Sequence, residues 1–129
     1  MAKNGFVIVS HSKKIGDGIV DLISEMVTSD EKVTLRSASG TEDGRIGTSA
    51  TLILEAFNEM DDHQHIFVFY DIGSSKMSAE MAIELFDEDY VQLVDAPIVE
   101  GAFAGAVTAS VIEDTATILA EIANANNPK

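Results

Sequence analysis

The chain has no cysteine, and over its 129 residues it carries only eight lysines and arginines against 22 aspartates and glutamates. Without cysteine there is neither disulfide nor thiol chemistry, and nothing argues for secretion. The shortage of basic residues leaves a formal net charge of −14. That argues against a sequence-independent grip on nucleic acid, which needs clustered lysine and arginine to displace counterions, and against an anionic membrane surface. Long hydrophobic runs are also missing. The amino-terminal MAKNGFVIVS holds one lysine and a short apolar stretch that breaks at Ser10 and His11, too short for a signal peptide or a membrane span. The expectation is a cytoplasmic protein with no nucleic-acid and no membrane partner. What is present, 46% hydrophobic and 23% charged residues, is globular composition, and the length suits one domain spanning residues 1–129.

Periodicity predicts strands alternating with helices. Residues 6–10, 32–36, 65–70 and 90–95 read as strands. Residues 16–27 place Ile19, Leu22, Ile23 and Met26 at helical spacing, residues 48–60 and 76–86 read as further helices, and residues 101–125 as one long alanine-rich helix. This order implies parallel strands joined by right-handed crossovers: an α/β, doubly wound, flavodoxin-like domain with a mainly parallel sheet and helices on both faces. The closing NANNPK reads as a frayed tail.

In such a sheet, ligands sit beyond the carboxyl ends of the strands where the strand order reverses. His11 ends the first strand and Asp71 the third, the two strands expected to be neighbours at that point. A carboxylate beside a histidine can accept from one ring nitrogen, fix the tautomer and leave the other as a nucleophile; a histidine bonded only for structure is the alternative. The loop over residues 37–48 carries Gly40, Gly44 and Gly47 and ends in Thr48-Ser49, so its N–H groups can turn toward an anion at a helix start. It has neither the Gly-Lys-Ser/Thr of a Walker loop nor a dinucleotide fingerprint. Lys13, Lys14, Arg45 and Lys76, half of all the basic residues, fall in the loops after the first three strands. Cations at helix starts oppose the helix dipole unless an anion is there. Together these features point to a phosphoryl group carried on His11, held by the cationic rim and the hydroxyls of Ser10, Ser12, Thr41 and Ser74. No cofactor is expected, and no metal: His63 and His65, at the opposite end of the third strand, are read as surface histidines. The small-residue run GAFAGAVTAS suits close helix packing, on the sheet or across a dimer interface.

Four segments, VIVSHSKKIGDG, GTEDGRIGTS, YDIGSS with the following AEMAIE, and APIVEGAFAGAV, resemble in that order the phosphotransferase subunit of phosphoenolpyruvate-dependent dihydroxyacetone kinase. The similarity runs from about residue 6 to residue 110, and the fold of that family is similar to that of the mannose-type enzyme IIA domains. The resemblance implies that His11 accepts a phosphoryl group from the histidine-containing phosphocarrier protein and passes it to ADP on the nucleotide-binding subunit of the kinase. It also implies a homodimer, with Asp71 as the partner of His11 and Gly40, Gly47, Gly73 and Ser74 among the loop residues lining the site. Ser39 departs from the pattern, which has a glycine there, and puts the path of the second loop in question. Some members continue into phosphocarrier and enzyme I-like domains, so separate upstream donors are expected for this chain. A mannose-type enzyme IIA of a sugar transporter and a non-catalytic flavodoxin-like binding module are the competing readings. The former usually shows His-Gly where this chain has His11-Ser12.

Overall fold

Phe6, Val7, Ile8 and Val9 are apolar without alternation, the mark of a strand covered on both faces, and all four are fully buried. The computed structural model describes residues 3–27 and 31–125. Its elements run β1 (Asn4–Val9), α1 (Lys13–Met26), β2 (Val33–Ser37), α2 (Ala50–Asn58), β3 (His65–Tyr70), α3 (Ser74–Phe86), β4 (Val91–Leu93), α4 (Ile98–Ala109) and α5 (Thr115–Ala125). The strands form one parallel sheet in the order β2-β1-β3-β4, the first four places of the flavodoxin order. Among the described residues no fifth strand follows.

Alternate residues of the central strands feed two separate cores. Phe6 and Ile8 of β1 and Phe67 and Phe69 of β3 pack with α1, α4 and α5, and the rings of Phe6 and Phe67 stack 5.1 Å apart. Val7, Val9, Ile66 and Val68 face the other way, onto α2 and α3. Register is therefore held from both sides, since a slip of one residue would exchange the two sets. The pairing Val9↔Tyr70 brings the carboxyl ends of β1 and β3 level, and the chain leaves them in opposite directions. The crevice between them is the switch point at which the site is built.

Helix boundaries differ from the periodicity reading because serine caps set them. Ser12 Oγ accepts from the Ile15 N–H, so α1 begins at Lys13, three residues early; Ser49 Oγ accepts from the Leu52 N–H and delays α2 to Ala50. The single carboxyl-terminal helix is a misreading. It breaks after Ala109 and restarts at Thr115, where the Asp114 carboxylate accepts from both the N–H and the hydroxyl of Thr117. The small residues of α4 serve internal packing: a side chain at Gly105 would meet Phe6 and Ile122, and one at Gly101 would meet Ala96. From residue 126 onward the tail reading lies outside the described residues.

The carboxyl cap of α3, Asp87, sits at φ 55° in the left-handed region, where any Cβ is penalised. Asp87→Gly is expected to raise the unfolding free energy by about 0.5–1 kcal/mol, measured by urea denaturation, because it relieves that strain and removes a negative charge from a helix carboxyl end.

Candidate phosphoryl site

Backbone hydrogen bonds shape the crevice before any reactive side chain enters it. The Gly40 N–H donates to the Ser10 carbonyl, the Gly47 N–H to the His11 carbonyl and the Asp71 N–H to the Val9 carbonyl, each at 2.9–3.1 Å. Loop two thus closes over the end of β1, and Asp71 is tied directly to its neighbour strand.

Ser39, where a glycine was expected, turns out to hold that loop in place. Its hydroxyl accepts from the Ser10 N–H at 3.0 Å and donates to the Ile8 carbonyl at 3.1 Å, with Ser37 Oγ a further 3.0 Å away. Nothing in the spacing signalled this role. Helix α1 approaches the same point through Gly16: a Cβ there would overlap Ser39 Oγ and lie 2.6 Å from Ser37 Oγ. Gly16→Ala is therefore expected to destabilise by about 1–3 kcal/mol, although alanine is the better helix former by about 1 kcal/mol. Urea melts would show it, and adding Ser39→Gly should restore part of the loss.

His11 and Asp71 meet as the strand order predicted. Nδ1 of His11 lies 3.0 Å from Asp71 Oδ1, with both side chains about one-fifth exposed. The carboxylate has three other donors: the Ser10 hydroxyl at 2.7 Å and the His11 N–H at 3.1 Å on Oδ2, and the Ile72 N–H at 2.7 Å on Oδ1. Burial pushes the Asp71 carboxyl up, but the bonds from Ser10, His11 and Ile72 more than offset it and hold it at about 2. An ionised carboxylate only accepts. It therefore draws the ring proton of the neutral imidazole to Nδ1 and leaves Nε2 as the lone-pair nitrogen.

Nε2 opens onto the start of α3. Ser74 Oγ is 3.0 Å from it, and a side chain at position 73 would come within 4.0 Å of the ring. Gly73 caps the helix at φ 55° with no side-chain hydrogen bond, while the Ser75 and Lys76 N–H groups make only long turn bonds of 3.3 and 3.4 Å. A helix start with weakly engaged donors favours an anion.

The remaining sequence candidates are placed differently. Ser10 reaches Asp71 and not the ring, and Ser12 caps α1. Thr41 bonds within its loop to Asp43 and Arg45, and Thr48 bonds to Ser78 of α3 at 2.6 Å. Of the four hydroxyls read as phosphoryl ligands, only that of Ser74 contacts a ring nitrogen. Lys13 is paired with Asp17 at 2.6 Å and Arg45 lies 3.6 Å from Asp43, so part of the cationic rim is neutralised locally. His63 is not on the surface: it is buried, with its ring nitrogens 2.7 Å from Asp62 and from Thr34. No cluster of metal-ligating residues occurs among the described residues, and none of their helices is long and apolar enough to cross a membrane.

Comparison with known proteins is consistent with this geometry. The family described as the PTS system fructose IIA component matches residues 5–119. The phosphoryl donor subunit DhaM of phosphoenolpyruvate-dependent dihydroxyacetone kinase 2 from Listeria innocua is 43% identical over 121 residues, covering 92% of this chain and 95% of the relative. Its counterpart from Escherichia coli is 38% identical over 108 residues, 81% of this chain but 23% of that longer protein. Among solved structures, a protein of unknown function matches with a TM-score of 0.86 at 44% identity, covering 95% of this chain and 94% of its own. The phosphotransferase component EIIA from Streptococcus agalactiae shares the fold at a TM-score of 0.64 and 14% identity, covering 98% of this chain and 92% of its own.

Proposed function

The chain belongs to the family of PTS fructose IIA components, and from that premise we propose that it is the phosphoryl donor subunit of a phosphoenolpyruvate-dependent dihydroxyacetone kinase. It acts as a single phosphoryl-carrier domain, pairs as a homodimer and works in the cytoplasm. His11 takes the phosphoryl group from the histidine-containing phosphocarrier protein and delivers it to ADP on the nucleotide-binding kinase subunit. The observation that carries this reading is the placement of the ring, with Nδ1 held by Asp71 Oδ1 at 3.0 Å and Nε2 facing the start of α3.

The Nε2 lone pair attacks phosphorus in line. The donor's N–P bond breaks, its electron pair returning to the donor ring, and a new N–P bond forms on His11. The positive charge that develops on the ring is balanced by Asp71, already ionised and already in position. Ser74 turns its hydroxyl from Nε2 to a phosphoryl oxygen, and the α3 N–H groups face the added charge of about two units. In the second step a terminal phosphate oxygen of ADP attacks the same phosphorus and the N–P pair returns to Nε2. Most of the acceleration comes from position and fixed charge, as is general for phosphoryl transfer.

Incubation with phosphoenolpyruvate, enzyme I and the phosphocarrier, followed by mass spectrometry, tests the first step. Phosphate on His11, acid-labile and base-stable, that is discharged as ATP on adding the kinase subunit with ADP would establish the relay. Phosphate retained until a sugar-transport component is added would establish a mannose-type enzyme IIA instead. Absence of phosphate would leave a binding module.

A further inference from the structure

Ser10 reaches the reacting pair from inside the fold. It has no exposed surface, and it follows the pairing Val9↔Tyr70, so it stands beside Asp71 where β1 and β3 end. All of its polar groups are engaged. Its N–H donates to Ser39 Oγ at 3.0 Å, and its carbonyl accepts from the Gly40 N–H at 2.9 Å. Its hydroxyl oxygen accepts from the Ser12 N–H at 3.1 Å, while the hydroxyl itself donates to Asp71 Oδ2 at 2.7 Å. Loop two, through Ser39 and Gly40, thus holds the backbone of the residue that holds the carboxylate.

The same bonds fix the direction of the hydroxyl. A serine hydroxyl rotates to suit its neighbours, but here the Ser12 N–H points into the oxygen and the ionised carboxylate can only accept, so the proton is committed to Asp71. The bonds run in one sense, from the Ser12 N–H through the Ser10 hydroxyl to Asp71, and each polarises the next. With its single donor spent, Ser10 has none left for a phosphoryl oxygen. Asp71 receives Ser10 and the His11 N–H on Oδ2, and the Ile72 N–H on Oδ1, the oxygen that also faces Nδ1. Burial raises the Asp71 carboxyl, and the Ser10 bond is the largest of those that bring it down to about 2. Resting on the functional reading above, we propose that Ser10 is a positioning residue for phosphoryl transfer: its buried hydroxyl locks the Asp71 carboxylate in the orientation that presents Oδ1 to Nδ1 of His11 and so keeps Nε2 free to attack. A reacting group held in this way keeps its geometry only while its supports are in place.

Ser10→Ala removes the donor with little change in volume. In NMR of the free chain, wild-type His11 is expected to show the ring nitrogen shifts of the Nδ1–H tautomer, and the variant a mixture with the Nε2–H form. The Asp71 carboxyl midpoint should rise by about one pH unit, a tenfold change in proton affinity. With the phosphorylated carrier as donor, kcat should fall about tenfold and KM stay within about twofold of wild type, because Ser10 orients the pair and is closed to the donor. Ser10→Thr, which keeps the hydroxyl, should restore both NMR signatures and most of kcat. Should urea melts show that Ser10→Ala does not fold, Ser10→Cys, close in size and only a weak donor, takes its place with the same expectations. A folded variant with the wild-type tautomer and carboxyl midpoint would overturn the proposal. So would a raised KM with unchanged kcat, the mark of a residue that only shapes the surface, and so would a folded Ser10→Thr that restores neither signature. A wild type never labelled by the carrier, although its tautomer and carboxyl respond to Ser10 as expected, would instead refute the functional reading and leave the hold of Ser10 on Asp71 standing.

Discussion

His11→Ala is expected to take up no phosphate from the carrier and to reduce ATP formation by the kinase subunit to background, while folding normally. The ring is at the surface end of β1, and of its two polar contacts the one to Ser74 is exposed. Asp71 Oδ1 keeps the Ile72 N–H when the ring is gone, so no buried charge is left unpaired. The stability loss should be about 1 kcal/mol or less. Unchanged circular dichroism and a urea midpoint close to wild type, together with absent labelling, would separate loss of the nucleophile from loss of the fold. Labelling that persisted at wild-type level would show that the phosphate sits elsewhere.

Asp71→Ala should damage both rate and stability. Rate falls because the ring loses its tautomer constraint and the charge that offsets its positive form; a loss of about 10²–10³-fold in transfer is the scale for removing one preorganised electrostatic group. Stability falls because the Ser10 hydroxyl and two N–H groups lose their acceptor. With the carboxyl held at about 2 against an ordinary 3.8, its contribution is on the order of 2 kcal/mol above pH 4. The sign follows from the depressed value: the stabilisation is complete above the unfolded-state pKa and disappears as pH falls from about 4 toward 2. Urea melts of wild type and Asp71→Ala at pH 6 should therefore differ, and the gap should shrink across that acid range. A gap independent of pH would mean that packing and not the carboxylate sets the difference.

The alternation of strand and helix, and with it the meeting of His11 and Asp71, was legible because β1 and β3 are continuous apolar runs whose ends are marked by abrupt polarity. Less legible were features decided by short polar side chains. Ser12, Thr41 and Thr48 look equally available to an anion in the sequence, yet each bonds to a backbone or side-chain group that only the folded loop presents. Ser39 looks like an interruption of a glycine pattern and is a tie. The break between α4 and α5 carries no glycine or proline, and its only mark is the Asp114 cap. His63 is polar, yet it is buried because Asp62 and Thr34 bind its ring nitrogens.

The contact of Gly16 with Ser39 joins the start of α1 to loop two with no spare volume, and Ser39 in turn is bonded to β1. The scaffold around His11 therefore has little room to rearrange. On the function proposed above, a loaded chain would be told from an empty one by charge more than by shape, through about two units of negative charge added at one point on a scaffold held fixed.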